Sequence, residues 1–234
     1  MLGLTVSVLV ASAWLLRPLE RRVGVPIALR TDQLMRVVGR GGIMARLGGM
    51  RSAFASACWL RANLAWERRD ALATAALIEL TVAVDERPVY FWLNGARMLA
   101  YDVPEWRRND LAPAAWRSRV NEEQAQQALR LLEKGLRWHG PDPALYIEMA
   151  NIHLRRRNDR EAAARYYRLA AEQTGAPHYA ARIHGELLRE LGRPQEALAW
   201  LREVLPRLEA GDPLARREVV LERIEMLERE VAAR

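Results

Sequence analysis

Apolar residues along 51–234 return every three or four positions, the spacing of helices that bury one face. The pattern is broken at Gly, Asn and Pro, so the stretch reads as short helices joined in pairs rather than as one long helix. Two windows, Ala144–Pro177 and His178–Gly211, align with each other at 34 residues. The first contains LYIEMANIHLRRRNDREAAARYYRLAAEQ and the second YAARIHGELLRELGRPQEALAWLREVL. Asn151, Asn158, Ala163, Tyr167 and Ala170 have counterparts 34 positions on at Gly185, Gly192, Ala197, Leu201 and Val204. Small residues let two helix axes approach, the large residue fills the space between them, Asn158 or Gly192 makes the turn, and Pro194 opens the next helix.

That order of small, turn, small, large and small positions resembles the tetratricopeptide repeat, closely over 144–211 and loosely over 51–234. The resemblance implies an all-α fold, a right-handed α-solenoid of helix pairs whose first helices line a concave groove. Two earlier pairs are less regular. One has Trp59, Ala62 and Trp66 on its first helix, Ala76, Leu80 and Ala83 on its second, and Pro88 closing it. The other has Trp92, Ala96 and Leu99, then Ala128, Leu132 and Gly135 after an insertion at about 102–122. Two departures stand out, Asn151 where the repeat usually has Gly and His184 where it usually has Leu. In 212–234, Val220, Ile224, Leu227 and Val231 share one face with charges elsewhere, as expected of a capping helix over 212–234 that closes repeats running over 51–211.

The N-terminus has a different pattern. Leu2 to Leu16 are uncharged and span about 22 Å as a helix, against about 30 Å of hydrocarbon, a shortfall that Leu19, a snorkelling Arg17 and a thinned bilayer make up. A single membrane anchor over 1–22 is the expectation. A signal peptide cleaved near Ala11-Ser12-Ala13 and a hydrophobic first helix packed on the body are the competing readings. Arg17, Arg21, Arg22 and Arg30 follow the segment and place the body in the cytoplasm by the positive-inside rule. That rule holds for short loops, so a periplasmic or extracytoplasmic body stays open. Residues 23–50, with Pro26, Gly39, Gly41, Gly42, Gly48 and Gly49, read as a Gly-rich juxtamembrane linker with short helices.

Charge changes the picture less than its total suggests. The chain carries +7, but residues 1–50 hold seven arginines against Glu20 and Asp32, so +5 falls there and the repeat body is nearly neutral. A basic stripe for nucleic acid along the body is therefore not expected. Lys134 is the sole lysine, and the Gly-rich stretch lacks the Lys and the preceding strand of a phosphate loop. One cysteine, Cys58, cannot form an intrachain disulfide and reads as a packed thiol. His139, His153, His178 and His184 lack metal-ligand spacing, and neither a metal nor a cofactor is expected.

The expected function is non-enzymatic: a membrane-anchored scaffold that holds a partner protein or peptide in its groove. Ligand contacts in the resembled repeats come from exposed first-helix positions, which match Asn94, Arg97 and Tyr101, then Glu148, Ile152 and Arg155, then Arg182, Glu186 and Arg189. Four Arg against two Glu suit an acidic segment. The charge pattern of the family's chaperone-binding carboxylate clamp is not reproduced. Trp106 and Trp116 in the insertion, flanked by Arg, are candidate loop contacts. An enzyme on a helical scaffold and a nucleic-acid-binding helical repeat are the alternatives.

Overall fold

In the computed structural model, residues 50–106, 111–208 and 211–233 are described, and every regular element among them is helical. Apart from Arg51, the first residue of the first helix, the helices belong to the unit Ser52–Arg234, distinct from the unit Met1–Arg51. They are α1 (Arg51–Glu67), α2 (Ala71–Val84), α3 (Val89–Arg97) running into a π-helical turn Met98–Asp102, α4 (Val103–Trp106), α5 (Ala114–His139), α6 (Pro143–Arg156), α7 (Arg160–Ala171), α8 (Tyr179–Glu190), α9 (Pro194–Val204) and α10 (Arg217–Ala232). No helix among the described residues is long and apolar enough to cross a membrane. The expected anchor over 1–22 and the linker up to Gly49 lie outside the described residues.

Local chemistry sets where helices begin. Asp70, Asp142 and Asp159 precede α2, α6 and α7, and each carboxylate accepts a first-turn backbone N–H at 2.8–3.2 Å, with Pro143 at the first position of α6. Chain reversals after α6 and α8 fall on residues 34 apart, Asn158 (φ 52°) and Gly192 (φ 76°), the left-handed region that Gly enters freely and Asn tolerates.

Packing then follows the 34-residue register. α6 lies on α7, α7 on α8, α8 on α9 and α9 on α10, while α5 packs on α3 and α6. Ala163, Ala170 and Ala197 are fully buried and Tyr167, Leu201 and Val204 nearly so. A Cβ at Gly185 would stand 3.0 Å from Leu201 Cδ2, so the absent side chain is what admits Leu201. The equivalent position in the previous pair carries Asn151, whose Oδ1 accepts the Tyr167 hydroxyl at 2.7 Å. A small-on-large contact in one pair is thus a hydrogen bond in the other. On α10, Val220, Ile224 and Leu227 are buried in a cluster shared with α8 and α9, and Val231 packs at its edge.

The first pair departs from the expected register. Ala76, Leu80 and Ala83 are half-buried, whereas Thr74, Ile78, Thr81 and Val82 form the buried side of α2. α2 is apolar almost all round, so periodicity has no phase to read, and Thr81 hides its hydroxyl on the Leu77 carbonyl at 2.7 Å. The expected insertion also shrinks. Residues from Ala114 are already the first turns of α5, because helix formers without Gly or Pro follow Pro113 and Val120 and Gln124 extend the buried stripe.

Asp85, at the end of α2, is 1% exposed. It accepts Arg87 Nε at 2.7 Å, Arg87 Nη2 at 2.9 Å and the Ser52 hydroxyl at 2.9 Å, tying α1 to the α2–α3 connection. These bonds, with Arg87's the largest, hold its carboxyl down at about 2. A folded-state value below the unfolded one stabilises at pH above about 4 and is lost as pH falls towards 2. Between pH 5 and pH 2 the urea midpoint of the wild type should therefore fall further than that of Asp85→Asn, the difference amounting to about 2 kcal/mol. Equal slopes would mean that the network contributes nothing.

Candidate functional site

The nine first-helix positions separate into two groups with different fates. Arg182, Glu186 and Arg189 recur at i, i+4 and i+7 on α8 and line a cleft of about 240 Å³ against α10, which adds Val219, Arg223 and Met226. Gly185, Leu201 and Leu227 also line it and supply apolar surface. Glu186 accepts Arg189 Nη2 at 2.6 Å and Arg223 Nη1 at 2.5 Å, so one carboxylate serves two guanidiniums. Arg182 is half-buried, donates to the Ala215 carbonyl at 3.0 Å, and has its pKa lowered by burial and then by Arg216. Three guanidiniums and one carboxylate lining a cleft with apolar surface can receive an acidic group attached to an apolar one.

The other six positions are largely consumed by the fold. Ile152 is fully buried and Glu148 is 3% exposed, so neither is a groove contact as expected. The reason is that α6 packs against α3 and α5, which cover the face that α8 leaves partly open. Arg97 Nε donates to Glu148 Oε2 at 2.8 Å, and Asn94 spends its amide on the Tyr90 carbonyl of its own helix at 2.9 Å. Burial, and then Glu148, push the Tyr101 phenol up, and burial pushes Tyr167 up to about 12. Arg155 is exposed and lies within electrostatic reach of both tyrosines.

The insertion's two tryptophans part company. Trp106 packs edge-on against Trp66 at 6.1 Å, and Trp66 donates its indole N–H to Asp102 at 2.7 Å. Trp116 is 38% exposed and borders a smaller cleft of about 150 Å³ with Arg117, Asn121 and Arg156. Cys58 is half-buried, and burial pushes its thiol up.

The histidines are dispersed. His139 Nε2 lies 2.9 Å from the Glu86 carbonyl, His178 3.2 Å from Asp212, and His153 3.4 Å from Asp159 while stacked on Tyr166. No group of three or more His, Cys, Asp or Glu able to hold a metal occurs among the described residues. His184, 6% exposed, meets Trp200 edge-on at 4.8 Å with Nδ1 2.8 Å from the Ala164 carbonyl, and burial lowers its pKa.

Sequence reasoning missed Arg223, whose signal was only its exposed phase on α10, and the Ser52–Asp85–Arg87 network, which joins residues more than 30 positions apart. No protein-family model matches the chain, and no curated protein matches it. The fold itself defines the class as an all-α protein.

Proposed function

We propose that the chain is a tetratricopeptide-type scaffold, tethered to a membrane through residues 2–16, that holds a partner protein or peptide on its first-helix face without catalysing a reaction. The observation that carries this reading is the α8–α10 cleft, where Arg189 and Arg223 share the Glu186 carboxylate and Arg182 lines the same cleft beside apolar surface. The repeat register supports it, because Ala163 and Ala197, 34 apart, are both fully buried and Asn158 and Gly192, also 34 apart, both make left-handed turns. Arg155 is exposed and lies 34 positions before Arg189, which assigns it to the same stripe on this reading, whereas Ile152 and the Arg97–Glu148 pair belong to the scaffold's own packing. An acidic partner segment suits this surface and would loosen as ionic strength rises.

Changing Arg155, Arg182 and Arg189 together to Ala is expected to abolish capture of partners from solubilised membranes while shifting stability by no more than about 1 kcal/mol. Affinity capture at matched salt, paired with a thermal melt, reads both. Recovery of the same partners by the triple variant would sink the groove reading and move attention to Trp116.

The tether has its own test. Under carbonate washing the full chain should stay with the membrane fraction and a version lacking residues 1–22 should leave it. Equal release of both would dispose of the anchor.

A further inference from the structure

A second cleft, of about 420 Å³, lies on the other side of α8, between the second helices α7 and α9. His184 lines it, and position 184 is turned roughly 140–160° around α8 from positions 182, 186 and 189, so this cleft is separate from the one above. Its counterpart 34 residues earlier, Ala150, is fully buried, so packing in this register does not call for an imidazole.

The imidazole is held in one tautomer. A carbonyl oxygen only accepts, so the 2.8 Å contact with Ala164 places the proton on Nδ1 and leaves Nε2 a bare lone pair. Burial, the largest cause, together with the nearby Arg168 and Arg193, lowers the His184 pKa and keeps the ring neutral. No described residue gives Nε2 a hydrogen bond, and the atom is not sealed from solvent. A side chain more than nine-tenths buried thus presents an unpartnered acceptor to the cleft.

The surroundings narrow what would use it. Trp200, Leu188, Ala164 and Ala199 give the cleft apolar surface. Trp200 turns its indole N–H inward to the Ala181 carbonyl at 2.9 Å, so the acceptor at Nε2 is not met by that donor. At the rim, Arg193 is engaged by Glu161 and Glu196, and Arg168 by Glu172. Arg165 lies over the Tyr166 ring at 5.1 Å and has no carboxylate partner among the described residues. The complementary ligand has a hydrogen-bond donor for Nε2, a flat apolar body for the Trp200 side, and an anionic group for Arg165. A ring gives the most apolar contact for the fewest ordered torsions, and a phenol is a stronger donor than an alkyl hydroxyl.

We propose that the cleft between α7 and α9 binds a small phenolic carboxylate, with the phenol O–H donating to His184 Nε2, the ring against Trp200 and Leu188, and the carboxylate on Arg165.

The test uses the full chain labelled with ¹⁵N at histidine, with 4-hydroxyphenylacetate as probe and phenylacetate and 4-methylphenol as controls lacking the hydroxyl or the carboxylate. His184 is assigned from the spectrum of His184→Leu. The free protein should show His184 protonated on Nδ1, and 4-hydroxyphenylacetate should move the Nε2 resonance saturably. Phenylacetate should bind about tenfold more weakly, the worth of one net hydrogen bond, and 4-methylphenol about threefold more weakly, the worth of an exposed charge contact. His184→Leu should erase the preference for the hydroxyl, and Arg165→Ala, an exposed change that spares the fold, should erase the preference for the carboxylate. A proton on Nε2 instead of Nδ1, an unmoved His184 resonance, or equal binding of the three probes would overturn the proposal. Partner capture through Arg182 and Arg189 is unaffected in either event, so the two sites fail independently.

Discussion

Ala197→Glu is expected to lower the thermal midpoint by about 10 °C, from a loss of about 4 kcal/mol in a domain of this size. Ala197 has no exposed surface and sits in the cluster formed by α8, α9 and α10. A glutamate there either buries a charge with no room for its water or forces the helices apart, and both cost several kcal/mol. The packing says where the loss will fall. α9 packs on α8 and α10, whereas α3 and α5 belong to a different cluster. Amide exchange should therefore quicken first over α8–α10 and only later over α3 and α5. Circular dichroism gives the midpoint and hydrogen exchange the location. A midpoint within about 2 °C of wild type would mean that α9 does not present position 197 to the core.

Arg97→Ala is the second large effect, about 3 kcal/mol by urea unfolding, because it strands a carboxylate that is 3% exposed. Glu148 accepts Arg97 Nε at 2.8 Å across 51 residues of chain, and this pair links α3 to α6. The cost belongs to the stranded charge more than to the contact, so removing the charge as well should restore most of the loss. Arg97→Ala combined with Glu148→Gln is thus expected to be more stable than Arg97→Ala alone by about 2 kcal/mol. If the double variant is no better than the single one, water reaches Glu148 and the pair is a surface contact.

These two residues also separate what was legible from what was not. Ala197 was readable because its role repeats: the 34-residue offset to Ala163 carries the same small side chain into the same buried place, and one reading checks the other. The turn residues Asn158 and Gly192 were readable for the same reason, since a left-handed backbone restricts which residues serve there. Glu148 was read as an exposed groove contact, correct in its helix and its helical phase but wrong in what faces it. Helical phase says which residues share a side. It does not say whether another helix occupies that side, and for α6 it is occupied by α3 and α5 while for α8 a cleft is left.

The sequence by itself determined the all-α class, the register of α6 to α9 and the buried face of α10, because all of these depend on spacings within one helix or one repeat. The tertiary structure alone decided the rest. It chose the buried face of α2, which is apolar all round and so has no phase of its own. It brought Arg223 to Glu186 and Arg87 to Ser52 across more than 30 residues, and it set His184 against the Ala164 carbonyl with one nitrogen left over. Each of these depends on how close two helices come and at what rotation, quantities fixed by side chains on both partners together and encoded in no single stretch of chain.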